Sequence, residues 1–239
     1  MDVRILARRK NKKNQLTDKQ RSLITQYDPK SPAAEQFRTL RTNIQFASVD
    51  KEIRTIMITS STPGEGKSTA IANLGVVLAQ QQKRVLLIDS DLRKPTVHFT
   101  FQLPNQMGLT NVLTRQSSFE EAVIETPVPF LEVLPSGPVP PNPSELAGSK
   151  AMKDLLSKVK DTYDYILLDA PPVNVVTDPQ ILSNQCDGVI LVVRSGKTEE
   201  DAGKKAVDSL KKANANILGA VLNDRDMKET NYYYYYAEK

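Results

Sequence analysis

The sequence predicts an α/β fold: a parallel sheet with helices on both faces and a phosphate-binding loop at its carboxyl edge. Three observations predict it. Short β-branched runs alternate with stretches of helical period through the middle of the chain. The runs are continuously apolar rather than alternating, as strands buried on both faces are. The segment Ser61-Thr62-Pro63-Gly64-Glu65-Gly66-Lys67-Ser68 falls between the first run and the first strongly apolar helix, the context in which such a loop wraps phosphate.

The elements follow in order. Residues 1–30 read as a basic flexible leader, with nine Lys/Arg against three Asp/Glu; that net of +6 exceeds the +4 of the whole chain, leaving residues 31–239 near −2. A solvated arm is the plain reading. An anionic membrane surface comes second, at up to about 1 kcal/mol per basic residue. Nucleic acid comes third and is not expected as a partner, because no helix-turn-helix or aromatic-interleaved pattern accompanies the charge. Next comes a helix in which Ala33, Phe37, Leu40, Ile44 and Ala47 share one side, with Glu35 and Arg38 largely opposite and Arg41 between.

Strands are predicted at 53–60, 84–89, 131–134, 165–169, 189–193 and 217–222, and helices at 67–82, 144–160 and 199–213. Between them, residues 135–143 carry PxxP spacings that read as a rigid loop, with a docking peptide as the alternative. One domain over 31–223 accounts for these elements, followed by a tail at 224–239 that contains Tyr232, Tyr233, Tyr234, Tyr235 and Tyr236. No stretch approaches the 18 or so apolar residues of a membrane span, and no signal-peptide core follows the charged start. The lone Cys186 excludes an internal disulfide and suits a reducing cytosol. His98, the single histidine, reads as a packing or surface residue.

The loop carries the chemistry. Gly64 and Gly66 let successive N–H groups turn inward on phosphate oxygens, and the helix that follows presents its positive end to the same anion. Pro63, Glu65 and Thr69 complete the predicted nucleotide-binding segment. Lys67 should reach the β/γ-phosphates, and Ser68 should bind Mg²⁺. The usual first residue of the pattern is Gly; here it is Ser61.

Carboxylates follow two of the predicted strands. Val85-Leu86-Leu87-Ile88-Asp89-Ser90-Asp91-Leu92-Arg93 delivers two and a guanidinium, and Tyr165-Ile166-Leu167-Leu168-Asp169 delivers a third. An Asp leaving a buried strand beside a P-loop suits a Mg²⁺ site, here Asp89 and Asp169 with Ser68. Helix caps and turn formers are the bland alternative. Asn223, leaving the last strand, is either an adenine-recognition residue or a turn former.

With these motifs in place, the chain resembles the bacterial tyrosine kinases associated with capsule and exopolysaccharide synthesis. The resemblance runs from about Ser31 to the tail. It rests on the P-loop, on Asp89, Asp91 and Arg93 as an Asp-x-Asp-x-Arg motif, on Asp169, on Glu35, Arg38 and Arg41 as Glu-x-x-Arg-x-x-Arg, and on Tyr232–Tyr236. It implies a Min/Par-like deviant Walker architecture and ATP-dependent tyrosine phosphorylation with Mg²⁺. It also implies autophosphorylation of the tail, and ring-like homo-oligomers assembled through Glu35, Arg38 and Arg41. Implied partners are a separate transmembrane activator that recruits a cytoplasmic kinase to the inner face of the membrane, protein substrates in polysaccharide synthesis, and a phosphotyrosine phosphatase.

Lys67, Asp89, Asp91 and Arg93 form the expected catalytic set. Asp89 or Asp91 would direct the tyrosine proton, their roles undivided; Arg93 either neutralises phosphate or pairs with a nearby Asp. The tail spans 13 residues from Asn223 to Tyr236, at most roughly 45 Å when extended, enough to reach a neighbouring subunit. The rivals are a Min/Par-type positioning ATPase and a nucleotide-timed binding module docked by its basic leader. Proteins of the first kind carry a second lysine where this chain has Thr62, and they lack the tyrosine run.

Overall fold

A computed structural model describes residues 23–47 and 52–225. Tyr232–Tyr236, most of the leader and nearly all of the tail lie outside the described residues. The elements in chain order are α1 (Ile24–Tyr27), α2 (Pro32–Ala47), β1 (Thr55–Ser60), α3 (Lys67–Ala79), β2 (Val85–Asp89), α4 (Val97–Phe101), α5 (Leu109–Leu113), α6 (Phe119–Ala122), β3 (Ile124–Glu125), β4 (Leu131–Leu134), α7 (Pro143–Ala147), α8 (Lys150–Lys160), β5 (Tyr165–Asp169), α9 (Asp178–Ser183), β6 (Gly188–Arg194), α10 (Glu200–Lys212) and β7 (Ile217–Asn223).

The seven strands form one sheet in the order β3-β4-β2-β5-β1-β6-β7. Every pairing is parallel except β3 with β4, which is antiparallel. The sheet is therefore mostly parallel rather than wholly so. The exception escapes the sequence because β3 has two residues, too few for any period to register.

Alternation along the central strands divides the core between two faces. Ile56, Ile58, Leu87 and Leu167 point to one side, where α3 supplies Ile71, Leu74 and Leu78. Met57, Leu86, Ile88, Ile166 and Leu168 point to the other, against Met152, Leu155, Leu156 and Leu210 of α8 and α10. Each fully buried aliphatic side chain contributes about 1.5–3 kcal/mol relative to exposure.

Helix α3 is buried along its whole length from Ala70 to Ala79, so it is apolar all round rather than amphipathic. Its outer side is covered by α1 and α2. Leu23 joins the core, Thr25 N–H and Oγ1 donate to Asn73 Oδ1 at 3.0 and 2.8 Å, and Gln80 Nε2 donates to Thr25 O. The folded body thus begins by Leu23, inside the stretch expected to be leader.

On α2 the buried positions are Ala34 and Ile44, with Phe37 and Leu40 partly buried. Ala33 and Ala47 are exposed. The stripe is narrower than the sequence suggests: α2 lies against α1 and α3, and Arg41 Nη1 donates to Val77 O of α3 at 3.0 Å.

The helix predicted over 144–160 is two helices. The first ends at Ala147 with Gly148 as its C-cap, and Ser149 caps the second, its hydroxyl accepting from Met152 N–H. The result places the ends of β1, β2, β5, β6 and β7 along one edge of the sheet, where an open α/β sheet collects its ligands.

Candidate functional site

The loop from Ser61 to Gly66 joins β1 to α3. Gly64 and Gly66 take φ of +81° and +91°, the left-handed region that other residues enter at a cost. A Cβ at Gly66 would lie 2.1 Å from Asn223 Nδ2, so any side chain there requires Asn223 to move. Among the described residues, the backbone amides of Gly64 through Ser68 donate to no other group. They face the amino end of a 13-residue helix, so loop and dipole favour the same anion.

Lys67 lies at the foot of this loop, its Nζ 3.0 Å from Asp91 Oδ2 and 3.3 Å from Asp169 Oδ1. Ser68 Oγ is 3.3 Å from the same nitrogen and accepts from Thr96 Oγ1 at 2.9 Å. Burial works against the ammonium, but Asp169 and Asp91 outweigh it and raise the Lys67 pKa.

Asp89 and Asp169 are register partners at the ends of β2 and β5, and both are fully buried. Burial, then the Asp169 charge, pushes Asp89 up to about 8. Burial likewise raises Asp169, against the pull of Lys67. Asp89 Oδ2 accepts from Thr96 N–H and Val97 N–H, at 3.1 and 3.0 Å. Among the described residues, the opposite oxygens, Asp89 Oδ1 and Asp169 Oδ2, are buried without a hydrogen-bond partner.

That is the state expected of carboxylates that serve a cation. Three carboxylates face one ammonium, and two buried oxygens lack donors. Among the described residues no three Asp, Glu, His or Cys side chains close around one point. A cation that takes one or two protein carboxylates and otherwise water and substrate phosphate oxygens, as Mg²⁺ does, fits this donor set; Asp89, Asp169 and the Ser68 hydroxyl would hold it.

Other site residues stand apart from this cluster. Arg93 forks onto Asp178, with Nε–Oδ2 at 2.8 Å and Nη2–Oδ1 at 3.1 Å, and its Nη2 reaches Ser144 Oγ. Of the two roles open to Arg93, pairing with an Asp is the one present here, and the partner comes from α9. Asn223 ends β7 and donates from Nδ2 to Glu65 O at 2.9 Å.

Glu35 and Arg38 pair at 2.7 Å on the exposed side of α2, and Arg38 also donates to Pro29 O. Arg41 is committed to Val77 O. Val77 is ten residues along α3 from Lys67, about 15 Å away. His98 packs on the Phe99 ring at 3.9 Å between centroids, and burial lowers its pKa. Cys186 is half-buried and donates to Leu182 O.

Several participants carried no sequence signal. Thr96, Ser144, Asp178 and Thr198 sit in loops or short helices with no recognisable spacing. Glu65 was legible only as a loop position, yet its side chain turns back into the loop rather than outward. A cleft of about 440 Å³ lined by Arg84, Phe130, Glu132 and Tyr163 lies at the amino ends of the strands, opposite the P-loop.

Residues 53–217 match a family model described as an AAA domain. The tyrosine-protein kinase YwqD of Bacillus subtilis (strain 168) is 50% identical over 98% of this chain and 98% of its own length. The solved kinase domain of the Escherichia coli tyrosine kinase ETK superposes with a TM-score of 0.81 at 33% identity, over 84% of this chain and 79% of that one. The septum site-determining protein MinD of Pyrococcus horikoshii, solved with Mg-ADP, is more distant: TM-score 0.61, 28% identity, over 71% and 69%.

Proposed function

Because this chain belongs to the bacterial tyrosine kinases associated with capsule and exopolysaccharide synthesis, we propose that it transfers the γ-phosphoryl group of ATP to tyrosine hydroxyls, first to Tyr232–Tyr236 of a neighbouring copy. The observation that carries the proposal is the convergence of Lys67, Asp89, Asp91 and Asp169 at the foot of an anion-binding loop.

Phosphoryl transfer asks a protein chiefly for positioning and charge neutralisation. The loop amides and the amino end of α3 receive the β- and γ-phosphates. Lys67, released from Asp91 and Asp169 when phosphate arrives, follows the charge developing on the γ-phosphoryl oxygens. Asp89, Asp169 and the Ser68 hydroxyl would hold Mg²⁺, which would supply neutralisation of phosphate charge and stabilisation of the leaving ADP. A tyrosine oxygen attacks the γ-phosphorus, the bond to the β–γ bridging oxygen breaks, and the phenolic proton passes to a carboxylate. Asp91 is freed as a proton acceptor once Lys67 swings to the phosphates, whereas Asp89 is committed through Oδ2 to the amides of Thr96 and Val97.

The tail, leaving β7 beside the P-loop, would cross to a neighbouring subunit in a ring assembled through Glu35, Arg38 and Arg41. Each phosphate adds about −1.5 to −2 charges near pH 7, and several together would favour release from the ring. A transmembrane activator would bring the chain to the inner membrane face. Polysaccharide-pathway enzymes would be further substrates, and a phosphotyrosine phosphatase would reset the tail.

Incubating the protein with ATP and Mg²⁺ and mapping phosphate by mass spectrometry tests this. Label should fall on Tyr232–Tyr236 and vanish in Lys67→Met; ATP consumption, in the presence of the activator, with an unmodified tail would defeat the kinase reading and favour a MinD-like switch. Against that second reading, the place of the extra lysine is held by Thr62, whose hydroxyl is spent on Glu65.

A further inference from the structure

Glu65 occupies a P-loop position whose side chain the phosphate-wrapping geometry leaves open, yet the residue is only 3% exposed. Its carboxylate accepts from Ser61 N–H at 2.8 Å, Thr62 N–H at 3.1 Å and Thr62 Oγ1 at 3.0 Å. Ser61 Oγ donates to both of its oxygens, and Thr198 Oγ1 reaches it at 2.5 Å from the turn after β6. A buried carboxylate is costly unless fully hydrogen-bonded, and here burial is outweighed by Thr198, Ser61 and Thr62, which hold its pKa below the usual range.

These bonds reach beyond the loop. Thr198 Oγ1 itself accepts from Arg194 N–H at 2.7 Å, and Asn223 Nδ2 donates to the Glu65 carbonyl. Glu65 thus ties the first half of the P-loop to the ends of β6 and β7. It also draws the Ser61 and Thr62 amides inward to itself, so that the amides from Gly64 onward are the ones left for phosphate. Ser61 in place of the usual Gly supplies a hydroxyl donor to the same carboxylate.

We propose that Glu65, with Thr198 as its partner, is a positioning residue that keeps the loop in its phosphate-receiving shape without touching the nucleotide. Affinity for nucleoside di- and triphosphates then depends on a carboxylate clamp inside the loop. The role deepens the kinase reading, but its binding consequence is independent of any phosphoryl transfer.

The test is calorimetric titration of ADP with Mg²⁺ into the full chain, alongside steady-state ATP turnover. Glu65→Gln and Thr198→Val should each weaken ADP binding by roughly tenfold, the loss of a charge-assisted hydrogen bond. Thr198→Ser, which keeps the hydroxyl, should bind within about twofold of the parent. In turnover the KM for ATP should rise in parallel with little change in kcat, as for interactions made equally in ground and transition states. If Glu65→Gln does not fold, Thr198→Val and its serine counterpart decide the matter alone. Parent-like ADP affinity in Thr198→Val, equal losses in the valine and serine variants, or a fall in kcat at constant KM would each overturn the proposal. A chain that binds ADP as stated but labels no tyrosine would defeat the kinase reading and leave this one intact.

Discussion

Replacing Asp89 with Asn should make the metal-free protein more stable while removing its activity. In the native chain Asp89 is fully buried beside Asp169, and its pKa is pushed from 3.8 to about 8. A folded-state pKa above the unfolded one means that the fold prefers the protonated acid. The contribution is therefore fully present below pH 4 and is lost as pH rises toward 8. At about 1.4 kcal/mol per pH unit, holding that proton at pH 7 costs the fold on the order of 4 kcal/mol. Asn is a neutral isostere whose Oδ1 can keep the bonds from the Thr96 and Val97 amides. Coupling to Lys67 and local relaxation reduce the gain, so Asp89→Asn should be more stable by about 2–4 kcal/mol at pH 7 and by under about 1 kcal/mol at pH 4.5. Urea unfolding of both proteins at pH 4.5, 6, 7 and 8, with a chelator present, measures this directly. A gap that stayed constant across that range, or a variant less stable at pH 8, would refute the reasoning.

Three other outcomes follow from particular contacts. Gly66→Ala should lower stability by roughly 1–2 kcal/mol, from the left-handed φ alone, and should weaken ADP binding because its Cβ forces Asn223 off the Glu65 carbonyl; unchanged calorimetry would contradict the close packing. Asp178→Asn should cost about 1–3 kcal/mol at pH 7 by weakening the Arg93 fork. Burial opposes ionisation there, but Arg93 and Ser144 hold the Asp178 pKa below its ordinary value, so this stabilisation is present above pH 4 and disappears as the solution is acidified through the lowered pKa; an unfolding midpoint equal to the parent's at pH 7 would exclude it. Arg38→Ala, which breaks an exposed pair, should shift stability by under about 0.5 kcal/mol, whereas Arg41→Ala should cost about 1 kcal/mol through Val77. If sedimentation shows Arg38→Ala assembling like the parent, the proposed interface on α2 is wrong.

Much of the site was legible because its parts are local. Residues 61–68 carry their own conformational instructions in Gly64, Gly66 and Lys67. The apolar runs ending in Asp89 and Asp169 identify both a buried strand and the carboxylate at its tip. Helix α2 was harder: its periodicity predicts Ala33 and Ala47 inside, but only the neighbouring helix decides which side is covered, and Ala34 is the buried residue. The single helix read over 144–160 failed because Ser149 can cap a helix as well as sit within one.

The chain alone determined the mostly parallel α/β plan, the anion-binding loop and the acids beside it, because each strand, helix, loop and strand-tip acid is encoded within a short run of consecutive residues. Only the tertiary structure decided the partnerships: Asp89 against Asp169, Arg93 with Asp178, Glu65 with Thr198. Those pairs lie 80, 85 and 133 positions apart in the chain. Strand register and loop packing bring them together, and no local propensity records such distances.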